Sequence, residues 1–196
     1  DVVAYTDVVV SILADNYNAN WALPAAVFNG LHDGATNYLS VRVFDGAGNV
    51  GVLADVFTVL KDTTPPTLAD NQSGDAVRRA AGGTFYDVDA LDPASGLERF
   101  QYSVSTTVSS GDAARVGWTD VPLGAGATSY VADWAVDFAA LLGDSPNYVS
   151  VRAWDRAGST STLTDAFIVL KDTGGPRVAV TAPAAAFRSV LTVLAG

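Results

Sequence analysis

From Tyr148 to Trp154 apolar and polar positions alternate, with Val149, Val151 and Ala153 on one side and Tyr148, Ser150, Arg152 and Trp154 on the other. A period of two predicts a β-strand, with the first three residues facing a core. Residues 38–44 repeat the pattern, setting Leu39, Val41 and Val43 against Tyr38, Ser40, Arg42 and Phe44. Each strand runs into a turn, DRAG or DGAGN, where Asp bonds the turn backbone and Gly takes a positive φ. The partner strand of the second hairpin is expected at 165–172. Further strands are expected at about 67–70, 83–89, 97–105, 115–121 and 128–133, between the turn clusters DPASG, SSGD, LGAGA and GDSP. Seven strands in about 110 residues predict an all-β chain built of immunoglobulin-type sandwiches. The exception is 133–145, where Trp134, Phe138, Leu141 and Leu142 fall at helical spacing and predict a short helical crossing between sheets.

The two hairpins belong to a longer repetition. At a constant offset of 110, segments 37–66 and 147–176 are identical at 17 of 30 positions. Upstream the offset becomes 113, matching VAYTDV (3–8) to VGWTDV (116–121) and YNANWA (17–22) to YVADWA (130–135). A short loop insertion accounts for the change. A period this long is a whole domain rather than a solenoid unit. The domain reading is therefore 1–63 as the C-terminal part of one repeat, 64–174 as a complete repeat, and 175–196 as the opening strands of another. With no methionine in 196 residues, the chain reads as a fragment or a processed product, any export signal lying outside it.

Three motifs carry a resemblance: YVSVRAWDRAG (148–158), DPASGLERFQYSV (92–104) and KDTTPP (61–66). Together they resemble the bacterial immunoglobulin-like and fibronectin-type-III-like tandem repeats of large secreted and surface proteins. KDTTPP looks like the linkers of giant repeat adhesins, whereas the second linker departs from it, with Gly174 and Gly175 in place of Thr64 and Pro65. The resemblance implies an adhesin-type stalk module outside a prokaryotic cell. It also makes the repeated linker acids Asp62 and Asp172 candidate calcium ligands, each sharing an ion with oxygens of the following domain.

Composition narrows the function. The net charge of −10 lacks the basic footprint that nucleic acid or an anionic membrane surface requires. No apolar run reaches the roughly 20 residues needed to span a bilayer. The absence of cysteine excludes disulfides, thiolate metal sites and a cysteine nucleophile. The single histidine, His32, lies in a turn-like loop without a counterpart in the second copy, and no phosphate-binding glycine loop occurs. The expectation is a protein that is not an enzyme.

Other chemistry-bearing residues have structural explanations. Trp21 and Trp134 occupy one repeat position, while Trp118 and Trp154 answer to Tyr5 and Phe44, as core or sheet-face packing requires. Arg42 and Arg152 recur beside these aromatics, where a guanidinium stacks on a ring. Asp45 and Asp155 read as turn residues. Asp87, Asp89 and Asp92 cluster without the spacing of an EF-hand loop, and Asn71 begins a glycosylation sequon. The leading reading is a spacer of tandem modules whose partners are neighbouring repeats or copies of itself. Two others stand beside it: a self-assembling filament or surface layer built by strand donation from 177–196, and a glycan-binding accessory module of a polysaccharide-degrading enzyme.

Overall fold

The computed structural model describes residues 3–8, 15–73, 75–108 and 115–179. The chain is all-β apart from short helical turns. A first hairpin pairs β1 (Ala35–Phe44) with β2 (Val50–Lys61) and follows a six-residue helix, α1 (Ala25–Gly30).

The described residues of 64–174 form eight strands: β3 (Thr67–Asp70), β4 (Arg78–Arg79), β5 (Val88–Leu91), β6 (Leu97–Ser105), β7 (Val116–Val121), β8 (Ser129–Tyr130), β9 (Ser145–Asp155) and β10 (Thr160–Lys171). They form a five-stranded sheet ordered β4-β10-β9-β6-β7 and a three-stranded sheet ordered β3-β5-β8. All contacts between neighbours are antiparallel except β4 beside β10.

The two sheets close on one core. Val88 and Ala90 from the smaller sheet meet Phe100, Tyr102 and Val104 of β6, Val149, Val151 and Ala153 of β9, and Phe167 and Val169 of β10. Val149, Val151 and Ala153 are fully buried, as the alternation of β9 requires. Trp134 lies at the centre, its ring 6.0 Å from Phe100, 5.1 Å from Tyr102 and 6.0 Å from Phe167. In the first hairpin the corresponding Val41 and Val43 are 39% and 67% exposed, because no described strand faces them.

Three sequence expectations need correction. The strand expected at 83–89 forms at Val88–Leu91 instead, since Gly83 adopts φ +93 and Tyr86 makes only an isolated bridge to Trp134. The two-residue strand β4 was not expected. The helical crossing shrinks to one 3-10 turn at Phe138–Ala140, with Trp134 in the bridge rather than on a helix. The expectation for 177–196 falls almost wholly outside the described residues.

Candidate functional site: the joint between the repeats

Several repeated residues do the same structural task twice. Asn147 is fully buried; its amide donates to the carbonyls of Leu142, Ser145 and Val169 at 3.0–3.1 Å, and its oxygen accepts from Leu142 N at 2.9 Å. Asn37 makes the corresponding bonds to His32, Ala35 and Val59. Lys61 Nζ donates to the carbonyls of Asn29 and Leu31 at the end of α1, and Lys171 Nζ to those of Phe138, Ala139 and Leu141. These lysines satisfy carbonyls that a helix end leaves orphaned. Ser40 and Ser150 accept from the backbone N–H of Asp55 and Asp165, which sit at φ 51 and φ 50 where the second strand of each hairpin bulges.

On the outer face of the larger sheet, the Arg152 guanidinium lies 4.0 Å from the Trp118 ring centroid and 4.3 Å from that of Trp154. Its Nε and Nη2 donate to Gln101 Oε1 at 3.0 and 2.9 Å. Arg42 repeats the stack on Tyr5 and Phe44, at 4.0 and 5.3 Å. Trp118 and Trp154 are half-buried. With Arg152 stacked on both, they do not form the free row of rings that sugar stacking uses.

The linker after β2 is tied on both sides. Asp33, in the loop before β1, accepts from Thr63 N and Thr63 Oγ1 at 2.9 Å and from Thr64 Oγ1 at 2.9 Å. The Thr63 hydroxyl in particular holds the Asp33 carboxyl below the usual carboxylate range. Asp62 Oδ1 accepts from Thr64 N at 3.1 Å, and its Oδ2 accepts from Ser95 N at 3.0 Å, across the joint in the loop after β5. Pro66, buried at the start of β3, completes the passage into the second module. At the second linker Gly143 stands where Asp33 does, so that strap is missing.

The sequence-derived calcium candidates separate. Asp172 lies 3.9 Å from Arg78 Nη1 and accepts from Gly174 N at 3.3 Å; no second carboxylate closes with it into a cluster of three among the described residues. Asp62 instead meets Asp92 and Asp155, with one carboxylate oxygen from each lying within 4.8 Å of the others. Sequence reading missed this grouping because the three stand 30 and 63 residues apart along the chain. Asp92 had been grouped with Asp87 and Asp89, which face the opposite end of β5, where Asn71 Nδ2 bridges them at 3.3 and 3.0 Å. Asp92 is 2% exposed and receives the backbone N–H groups of Ala94, Ser95 and Gly96 on Oδ1. His32 is exposed, and its backbone is what Asn37 engages. No protein-family model matches the chain, and no curated protein is significantly similar to it.

Proposed function

We propose that the chain is part of a non-catalytic extracellular spacer: tandem immunoglobulin-like, fibronectin-III-like sandwiches strung into a stalk on a prokaryotic surface. The observation that carries this reading is the linker at Asp62–Pro66, bound by Asp33 on one side and by Ser95 on the other. A connector between independent domains needs no such bonds, whereas a stalk transmits direction only if each joint has a preferred geometry. Two prolines with fixed φ limit bending further. The 110-residue period supports the same reading, because length by repetition is what a spacer requires. Excess acidic charge keeps such modules soluble and mutually repelling.

Small-angle scattering of the chain in solution tests this. The reading predicts two bodies at one preferred separation, with a profile fitted by a single arrangement. A profile that demands a broad ensemble of bent and extended forms would remove the spacer function.

A further inference from the structure

We infer that the open face of the β1–β2 hairpin is a docking surface for an apolar β-arch presented by another chain, two strands joined by a loop in the manner of β5 and β6.

The second repeat shows what such a face takes. In the first hairpin the register sets Leu39 beside Phe57, Val41 beside Leu53 and Val43 beside Gly51. The matching rows of the second repeat begin with Val149 beside Phe167 and Val151 beside Leu163, and end with Ala153 beside Ser161. There Val149, Val151, Ala153 and Phe167 are at most 1% exposed. In the first hairpin Val43 and Leu53 are 67% and 60% exposed, and Val41 and Phe57 39% each. No residue in these rows is charged. A contiguous apolar face of this kind marks an interaction site.

Two contacts that the second repeat makes are missing from the first. Among the described residues β1 pairs only with β2, whereas β9 carries β6 on its other side, with Phe100 opposite Ala153, Tyr102 opposite Val151 and Val104 opposite Val149. The free backbone edge of β1 accepts an added strand, whose alternate side chains then turn onto the face. The other missing contact lies beside Trp21. Its ring is 6.0 Å from that of Phe57, as Trp134 is from Phe167, and the two rings with Leu23 line an open groove of about 340 Å³. In the second repeat Tyr86 fills the equivalent place. Its ring stacks on Phe167 at 4.5 Å, and its backbone exchanges hydrogen bonds with Trp134 at 2.7 and 3.1 Å. Val88 and Ala90 then continue over the core.

The occupant is defined by these contacts: an aromatic residue followed by alternating small apolar residues on one strand, and larger apolar residues on the next. The described flanks do not supply it. Tyr5 lies on the opposite face, where Arg42 stacks on it, and the linker at 62–66 leads away to the second module. A second copy laid face to face would cover the apolar rows but leave the edge of β1 unpaired, so the arch fits better than a dimer.

Fluorescence titration of the full chain with a synthetic peptide of residues 84–106, which holds β5 and β6 and no tryptophan, tests the surface. The peptide should bind one to one at micromolar concentration and shift tryptophan emission to the blue, a shift that Trp21→Phe largely removes. Val41→Asp and Leu53→Asp place a charge on the face without entering the second module's core, and each should weaken binding by about tenfold or more. Leu60→Asp, on the other side of the hairpin, should leave binding unchanged. A peptide carrying Tyr86→Ser and Val88→Asp should not bind. Equal affinity in the wild type, Val41→Asp and Leu53→Asp would overturn the inference, as would no binding at millimolar peptide. Sedimentation of the chain alone decides the rival occupant. A monomer agrees with a free face, whereas a dimer that Val41→Asp dissociates gives the face to a second copy and overturns the arch.

Discussion

Asn147 concentrates four hydrogen bonds in one fully buried side chain: two hold Leu142 after the 3-10 turn, one stays within β9 at Ser145 and one reaches Val169 of β10. Removing it strands three carbonyls and one N–H away from water, so Asn147→Ala should cost about 2–4 kcal/mol, read as a fall in the urea midpoint of the complete module. A loss below about 0.5 kcal/mol would mean that water replaces the amide freely. The sequence shows that Asn37 and Asn147 recur, but not why, because Val59 and Val169 lie 22 residues further along. The same holds for Lys61 and Lys171, whose acceptors lie 30 or more residues away. Asp45 and Asp155 were readable as turn residues, since their bonds are local.

Among elements, the long strand β9 was readable because alternation runs from Tyr148 to Trp154 and burial of Val149, Val151 and Ala153 enforces it; β6 and β10 were readable as runs of β-forming residues between turn clusters. The two-residue strand β4 was not, being too short for a period; it forms where β10 offers it a partner, while the strand expected at 128–133 shrinks to β8 at Ser129–Tyr130. The apparent helical spacing at 134–142 falls on an irregular crossing: Trp134, held in a bridge, and Leu141 are buried, Phe138 packs at the edge of the core and Leu142 is exposed. On the outer face, edge strand β7 is joined to β9 through Arg152, which stacks on Trp118 and donates to Gln101 Oε1 on β6. Arg152→Ala should therefore destabilise the module by about 1–2 kcal/mol, with a shift in tryptophan emission. Arg152→Lys should restore less than half of that loss, because an ammonium has neither the plane nor the fork. Full rescue by lysine would reduce the stack to simple charge.

At the scale of the molecule, the period of 110 was visible in the sequence, whereas the joint was not, because it is assembled from a loop before β1, the linker and two loops of the next module. Asp62 was singled out from its repetition with Asp172, yet the two differ in their surroundings: one meets Asp92 and Asp155, the other Arg78. The buried core belongs to the second module, from Tyr86 to Val169, with no residue of the first hairpin in it. Polar bonds are thus the means by which this joint holds its geometry. The chain contains no cysteine, so two introduced ones carry spin labels without background thiols. Thr58→Cys on β2 and Thr162→Cys on β10, both exposed positions, place one label in each repeat. Pulsed dipolar spectroscopy should then give one narrow distance distribution in the otherwise unaltered chain, broadened by Asp33→Ala and by Asp62→Ala, which remove the bonds of the linker; a distribution as broad without these changes as with them would contradict a fixed joint.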